Sequence, residues 1–294
     1  MEGHMKRNKL KFLVALLACM LLFSGCINVD QGDVTTPPTD TGSMSQGPIG
    51  SYLTTQYQYL TSVNVGVLAT NLDEKYLLLV NKSVSLANDF VPSSLTELTC
   101  ATLQSDRTYE LDSRAAEALY AMFAEMKAAG VSDVMVASAY RSYSYQVSTY
   151  DNYVQKETTH ISTDAYRLFG DDYIRSNYLN KGIYKLTLED AHAVVQSYSA
   201  KPGHSEHQTG LCVDLITSSM DNKLSEEFET TAAFEWLSQN AYKFGFILRY
   251  PKGQEDVTGY TYEPWHYRFV GREAATDIHN GNMTLEQYLQ LTSN

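Results

Sequence analysis

The sequence predicts an α+β fold in which a small antiparallel sheet has helices packed on one side. Two patterns support this prediction. Apolar side chains recur at helical spacing between Ala115 and Met126, and the segment 266–270 alternates as a strand does. The length of 294 residues, 44% of them apolar, is enough for one sizeable domain or two small ones.

The first half of the chain is predicted to place strands on both sides of a long helix. Asp112 and Ser113 can cap that helix, because their side chains accept hydrogen bonds from its first backbone N–H groups. Gly130 is a typical residue for its end. The predicted elements are a strand over 76–80, a short strand over 98–103, a helix over 112–129, a central strand over 134–137 and a helix that begins near Tyr143.

The second half is predicted to contain a helical lobe and then the rest of the sheet. Residues 150–200 have the least legible pattern, although Thr187 can begin a helix with Asp190 in position to reach back to the cap. Gly245 is placed to end the helix that follows the lobe. The remaining predicted elements are a helix over 234–244, a strand over 246–249, a strand over 266–270 and a helix over 285–291.

The N-terminus has the features of a secretion signal. A basic segment is followed by an apolar run over 12–23, which is shorter than the roughly 20 residues of a membrane-spanning helix. The next residues end in Ser24-Gly25-Cys26, as in a bacterial lipobox, although Phe23 stands where that motif usually has Leu. We therefore predict a lipoprotein signal peptide over 1–25 and lipidation of Cys26. An ordinary cleaved signal and an uncleaved anchor are the alternatives.

The expected domain organisation follows from this signal. Residues 26–52 are rich in Asp, Thr, Gly, Ser and Pro, which predicts a disordered tether. Residues 53–294 then form the folded domain. The mature protein would be extracytoplasmic and anchored to the bacterial cell membrane through the N-terminal lipid only.

The charge of the chain excludes one class of partner. The net charge is −12, and residues 1–25 carry +3, so the remainder carries −15. Nucleic-acid phosphates are bound by Lys and Arg, so we expect no nucleic-acid partner. We also expect a monomer.

Two short stretches contain the residue types of a catalytic metal site. The first is SEHQTGLCVD over 205–214, and the second is EPWH over 263–266. His207 and Asp214 can face one point if the chain turns at Gly210, and His266 would be the third ligand. Three protein ligands leave a position open, as in catalytic zinc sites. Glu263 can then act as a general base without being a ligand.

The spacing alone leaves alternatives open. A single histidine is more often a core or surface residue than a ligand, and the spacing does not decide between these interpretations. Cys212 is interpreted as a small buried apolar side chain, with thiolate ligation as the alternative. A disulfide between Cys100 and Cys212 is left open, because sequence does not give the distance between them.

These stretches resemble a known family. The pattern Ser-x-His-x-x-Gly-x-x-x-Asp followed by Glu-Pro-Trp-His is similar to that of VanY-type zinc D-alanyl-D-alanine carboxypeptidases and their L,D-carboxypeptidase relatives, the LAS-type peptidoglycan peptidases of family M15B. The resemblance extends from about residue 77 to about residue 289. Further matching segments are 138–143, 202–203, 244–251 and 258–260.

The resemblance implies a fold, a site and an activity. It implies one Zn²⁺ ion in a cleft on the side of the sheet opposite the helices, with the lobe over 150–200 as an insertion near that cleft. It implies that Arg141 stabilises the substrate carbonyl or oxyanion, and that Gln146, Ser205 and Tyr250 line the substrate pocket. The implied reaction removes a C-terminal D-Ala from peptidoglycan stem peptides, with D,D- or L,D-specificity.

Two other functions compete with this interpretation. A peptidoglycan endopeptidase would use the same zinc site on internal bonds. An inactive wall-binding lipoprotein would keep the scaffold with a damaged site, but His207, Asp214, His266 and Glu263 are all present. A structural zinc site would need four ligands, usually including Cys, and the spacing does not offer them.

Overall fold

A four-stranded antiparallel sheet is the centre of the computed structural model, which describes residues 57–64, 68, 74–104, 106–221 and 223–292. The strands of the described chain are β1 Leu95–Glu97, β2 Glu110–Asp112, β3 Val134–Ser138, β4 Cys212–Thr217, β5 Phe246–Leu248 and β6 His266–Phe269. The central sheet has the order β3-β4-β6-β5, while β1 and β2 form a separate antiparallel pair. The predicted α+β class with a small antiparallel sheet is confirmed.

Most of the helices lie in segments where a helix was predicted. They are α1 Ser113–Ala128, α2 Tyr143–Glu157, α3 Thr163–Phe169, α4 Asp171–Asn177, α5 Leu188–Tyr198, α6 Ala232–Asn240, α7 Glu255–Thr258, α8 Arg272–Asn280 and α9 Leu285–Thr292. The carboxylate of Asp112 accepts hydrogen bonds from the backbone N–H groups of Arg114 and Ala115, so it caps α1 as predicted. Among the described residues, no helix combines the length and the apolar character needed to cross a membrane.

The sheet is buried on both faces, and the two faces carry different chemistry. Successive side chains of a strand point to opposite faces. Val213 and Leu215 of β4 belong to the main apolar cluster, together with residues of α1 and α6. Asp214 of β4 is therefore directed to the other face, as is His266 of β6, its cross-strand partner. The apolar alternation that builds the core thus also selects the face on which polar side chains meet.

The lobe predicted over 150–200 is helical and has its own apolar cluster. Buried side chains from the end of α2 through α5 form this cluster, including Tyr150, Val154, Ile174 and Val194. Thr187 caps α5 by accepting from the backbone N–H of Asp190 at 3.2 Å. The Asp190 carboxylate does not reach back to the cap; it accepts a hydrogen bond from the Tyr178 hydroxyl instead.

The strand predicted over 76–80 is wrong. Glu74–Leu77 is a 3-10 helix, and the next residues have no regular structure. The carbonyl oxygens of Tyr76 and Leu78 accept hydrogen bonds from the Arg268 guanidinium at 3.0 and 2.8 Å. This segment therefore satisfies its backbone with a buried side chain rather than with a neighbouring strand.

Two other strand predictions are corrected in position. The short strand expected over 98–103 lies earlier, at β1, and Thr102 makes only an isolated bridge to Val136. β3 is an edge strand and not a central one, because in the sheet it pairs with β4 alone. An apolar run indicates burial of a strand, but not its place in the sheet order.

The remaining predictions about covalent features divide into two groups. Cys100 and Cys212 are both free thiols, so the disulfide that the sequence left open is not formed. The predicted signal peptide over 1–25, Cys26 and the tether over 26–52 lie outside the described residues.

Gly210 makes the turn that joins the two halves of the 205–214 stretch. Its φ is +66°, in the left-handed region that costs other residues energy. A Cβ atom here would lie 2.8 Å from Leu95 Cδ2 and 3.2 Å from Pro92 Cγ. Both the backbone conformation and the close packing therefore require glycine at this position.

We predict that Gly210→Ala lowers the free energy of unfolding by more than Gly253→Ala does. Gly253 has a similar φ of +80° but open space around it, so it isolates the backbone cost of about 1–2 kcal/mol. Chemical denaturation of the two variants measures the difference. Equal losses would show that Leu95 and Pro92 adjust freely around the added methyl group.

Candidate metal centre

His207 lies in a one-turn 3-10 helix, Glu206–Thr209, that Gly210 ends. Its Nδ1 is 2.6 Å from the carbonyl oxygen of Ala139, to which it donates a hydrogen bond. This bond leaves the lone pair of Nε2 free for a metal, because neutral imidazole carries only one proton. The side chain is 2% exposed, so its orientation is fixed by packing as well.

Asp214 and His266 meet His207 from two neighbouring strands. They are directly opposite each other in the β4–β6 register, and His266 Nδ1 is 3.0 Å from Asp214 Oδ1. The second oxygen, Asp214 Oδ2, is 3.2 Å from His207 Nε2. The three donor groups therefore converge on one point, as the sequence predicted, although 52 residues separate Asp214 from His266.

The donor set fits a divalent cation. His207 Nε2 and Asp214 Oδ1 are buried and have no hydrogen-bond partner among the described residues, although each has another atom of the centre within 3.2 Å. Buried polar atoms are costly when they are unsatisfied. A cation bound by both imidazoles and the carboxylate would satisfy both atoms, and two nitrogens with one oxygen are typical ligands of catalytic zinc.

Cys212 lies closer to this centre than its interpretation as an apolar side chain suggested. It precedes Asp214 by two residues and so shares its face of β4. It is fully buried, which agrees with that interpretation. However, its Sγ and one ligand nitrogen from each of His207 and His266 all lie within 4.8 Å of one another. Its position keeps the alternative of thiolate ligation open.

Glu263 lies beside the convergent donors, where a general base would be needed. Its Oε2 is 3.6 Å from His266 Nδ1, and its side chain is almost buried. Burial raises the pKa of Glu263 to about 7, and the nearby Asp214 carboxylate acts in the same direction. A carboxyl group with this pKa can both accept and release a proton near neutral pH.

Arg141 reaches the centre from the loop that joins β3 to α2. Its Nη2 is 3.7 Å from Asp214 Oδ2, and its Nη1 donates to Gln146 Oε1 at 3.0 Å. Gln146 is in turn held by its donation to the carbonyl oxygen of Ala200 at 2.8 Å. The guanidinium is therefore oriented by two side chains, and its buried Nε has no partner among the described residues.

One cleft of about 430 Å³ contains every predicted residue of the folded domain's site. Ser205 lines it together with the candidate metal ligands, and the ring of Tyr250 lies 4.8 Å from that of His266. The lobe supplies part of the opposite wall. The structure thus brings together the side chains predicted as ligands, base, oxyanion donor and pocket: His207, Asp214, His266, Glu263, Arg141, Gln146, Ser205 and Tyr250.

Sequence reasoning missed the buried ion network behind His266. Glu206 had no predicted role, but its Oε2 lies 3.3 Å from His266 Nε2. Its Oε1 accepts hydrogen bonds from Arg249 Nε and Arg268 Nη1, both at 2.7 Å. Arg249 also pairs with Glu286 at 2.6 Å. Two arginines within the predicted apolar strands over 246–249 and 266–270 were the available signal, because buried guanidinium groups need carboxylate partners.

This network fixes the tautomer of His266. Because Nε2–H donates to Glu206, the lone pair of Nδ1 faces the centre; carboxylates commonly orient metal-binding histidines in this way. Burial alone would raise the pKa of Glu206, but Arg249 and Arg268 hold it well below its usual range. Glu206 is therefore ionised and can hold His266 in place across the physiological pH range.

We predict that Glu206→Gln destabilises the protein by about 3–5 kcal/mol, because it leaves the buried Arg268 guanidinium without its carboxylate partner and Arg249 with Glu286 alone. Metal affinity should also fall about 10–100-fold as His266 loses its fixed orientation. Denaturation and metal titration measure the two effects. Since the folded-state pKa is depressed, the wild-type contribution is present above about pH 4 and is lost as the pH falls below that value.

The matched control for this prediction is Glu229→Gln. Glu229 also pairs with a cation, Lys252, at 3.1 Å, but the pair lies at the protein surface. Exposed pairs contribute little, so this variant should unfold and bind metal like the wild type. A Glu206→Gln protein that behaves like this control would contradict the assigned role of the network.

Comparison with known proteins identifies chains that are similar to this one. The family profile "VanY: D-alanyl-D-alanine carboxypeptidase" matches residues 108–272. The chain is 35% identical over 219 residues to the putative carboxypeptidase YodJ of Bacillus subtilis (strain 168), which covers 74% of this chain and 68% of that protein.

Solved structures show the same similarity. The LdcB LD-carboxypeptidase, solved to reveal the basis of peptidoglycan recognition, superposes with a TM-score of 0.58 at 34% identity, covering 73% of this chain and 86% of that one. A glutamate-to-alanine variant of the D,D-pentapeptidase VanY, in complex with Zn(II), superposes with a TM-score of 0.54 at 32% identity, covering 73% and 99% of the two chains.

Proposed function

Because this chain belongs to the VanY family of D-alanyl-D-alanine carboxypeptidases, we propose that its cleft removes a C-terminal D-Ala from peptidoglycan stem peptides. The observation that supports this most is the convergence of His207, Asp214 and His266 beside Glu263. All four side chains are intact, which argues against an inactive wall-binding protein. The enzyme is a zinc metallopeptidase, like its relatives.

His207, Asp214 and His266 are the residues that hold one Zn²⁺ ion. When bound, the zinc supplies Lewis acidity that polarises the carbonyl of the bond to be cleaved. The protein fixes the direction of each ligand: His207 through Ala139, and His266 through Glu206. In the neutral form of each imidazole, these bonds fix the tautomer, so the metal-facing nitrogen carries the lone pair that binds a cation.

Glu263 moves the proton of the reaction. Its carboxylate accepts the proton of the attacking water and then donates it to the departing amino group of D-Ala. The protein environment suits both steps, because burial brings the pKa of Glu263 to about 7. The carboxyl group can therefore exist in either form within one catalytic cycle.

Arg141 stabilises the negative charge that develops on the carbonyl oxygen. Donors that are oriented before the reaction cost no reorganisation when that charge forms. Gln146 and Asp214 hold the guanidinium in one orientation at the edge of the cleft. Ser205 and Tyr250 line the same cleft and are proposed to contact the peptide.

We predict that the soluble domain releases D-Ala from synthetic stem peptides and that a chelator abolishes this release. Digestion of tri-, tetra- and pentapeptide stems also assigns D,D- or L,D-specificity, because each specificity cleaves a different stem. Glu263→Gln should reduce turnover by about a hundredfold to ten-thousandfold, since it removes the proton-transfer group. Metal titration of the same variant should give nearly wild-type affinity.

The control for this experiment is Asp256→Asn, which neutralises an exposed carboxylate of the neighbouring helix α7. It should cleave like the wild type. If the zinc-loaded wild type leaves every stem intact, the proposed activity is wrong. Cleavage of internal bonds in place of C-terminal ones would instead identify an endopeptidase.

We further propose an extracytoplasmic, lipid-anchored location and a monomeric state. The basic segment, the apolar run over 12–23 and the lipobox-like sequence before Cys26 support the anchor. The monomer is supported by the cleft, since the side chains assigned to the reaction all come from one chain. Light scattering that gives the mass of two or more chains would overturn the monomeric state.

We predict that Cys26→Ala abolishes incorporation of a radiolabelled fatty acid and shifts the protein out of the membrane fraction. The reason is that the thiol of Cys26 is the proposed attachment point of the lipid. Cys19→Ala, within the apolar run, is the matched control and should be labelled normally. A Cys26→Ala protein that remains labelled would contradict the assignment.

A further inference from the structure

The cleft continues from the metal centre along one face of α2. Gln146, Tyr153 and Glu157 all line it, and their spacings of seven and four residues place them on one face of a helix. At about 1.5 Å per residue, Glu157 lies about 16 Å along the helix from Gln146, which contacts Arg141. The lobe end of the cleft is thus well separated from the reacting atoms.

Glu157 is a buried carboxylate at this end of the cleft, and the reaction does not use it. It is 3% exposed, and its Oε1 accepts a hydrogen bond from the Tyr198 hydroxyl at 3.1 Å. Its Oε2 is buried and has no hydrogen-bond partner among the described residues. A buried, half-satisfied carboxylate is costly unless a cation joins it.

Two aromatic rings stand beside this carboxylate. Tyr153 and Tyr198 both line the cleft, and their ring centroids are 5.7 Å apart at an interplanar angle of 71°. Aromatic faces attract cations through their quadrupole. A carboxylate combined with two tyrosine rings is therefore suited to an alkylammonium group, whose methylene chain packs on the rings.

The cations of the chain near this point do not neutralise Glu157. Arg167, which also lines the cleft, lies 3.4 Å from Asp164 and 3.7 Å from Glu226, so two other carboxylates share its charge. Lys156 is exposed and lies on the neighbouring position of α2. Within the described part of the chain, no Lys, Arg or His nitrogen lies within 4.0 Å of the Glu157 carboxylate.

We propose that Glu157, Tyr153 and Tyr198 form a subsite for an alkylammonium side chain of the peptide substrate. The inference rests on the proposed carboxypeptidase function. Such an enzyme releases a single residue, so a group that reaches the lobe end must belong to the part of the peptide that is retained. An extended peptide advances about 3.3 Å per residue, so a diamino acid two or three residues before the cleaved bond has the required reach.

The test measures binding without turnover. Zinc-loaded Glu263→Gln protein is titrated calorimetrically with peptides that end in D-Ala-D-Ala and carry lysine one, two or three residues before the cleaved bond. Norleucine at the same position is the uncharged comparison. At one of these positions we expect lysine to bind about tenfold more tightly or better, because a hydrogen-bonded charge pair contributes this much.

Adding Glu157→Gln should reduce the lysine preference to near one, while norleucine peptides bind as before. Asp151→Asn, on the same helix but outside the cleft, is the matched control and should keep the preference. Tyr153→Leu is a second variant in case Glu157→Gln fails to fold, since Tyr153 is partly exposed; it should weaken the preference without abolishing it.

The outcomes separate this inference from the proposed function. If lysine is not preferred at any position, or if the preference survives Glu157→Gln, the subsite is wrong even where D-Ala release is normal. In the catalytically intact protein, the preference should appear as a lower KM for lysine peptides with little change in kcat. If the wild type releases no D-Ala, the proposed function fails, but the binding comparison still decides the subsite.

Discussion

The carboxylate of Glu206 is the interaction on which the rest of the site depends. It is fully buried and serves three partners at once: Arg249, Arg268 and the far nitrogen of His266. Without it, Arg268 would have no carboxylate partner among the described residues and Arg249 would have only Glu286, and an unpaired buried charge is strongly destabilising. The same carboxylate that permits these charges to be buried therefore sets the direction of a metal ligand.

The sheet places two of the proposed metal ligands beside each other. Successive side chains of a strand point in opposite directions. The apolar residues of β4 and β6 therefore lie against α1 and α6, while Asp214 and His266 lie on the other face. The register of the two strands makes these ligands direct neighbours. His207 comes from outside the sheet, and the left-handed turn at Gly210 brings it to the same point. A shift of one residue in register would separate them.

The lobe extends the cleft beyond the residues that the sheet contributes to it. Its helices pack on an apolar cluster of their own, so they hold the cleft-facing side of α2 in place without contributing to the central core. The proposed metal ligands, base and oxyanion donor lie at one end of the cleft, and the Glu157 carboxylate lies at the other. One helix can therefore couple cleavage at one end with recognition of the substrate at the other.

The sequence by itself determined the helices with clear caps, such as α1 behind Asp112, and the residue types of the site, because ligand chemistry is local and restrictive. It also indicated Glu263 as the base, through its spacing from His266. Only the tertiary structure decided that Glu206 supports His266, that β3 lies at the sheet edge, and that the segment near Tyr76 pairs with Arg268 and not with a strand. Each of these depends on contacts between residues at least 60 positions apart or on the order of strands, and side-chain periodicity contains no information about either.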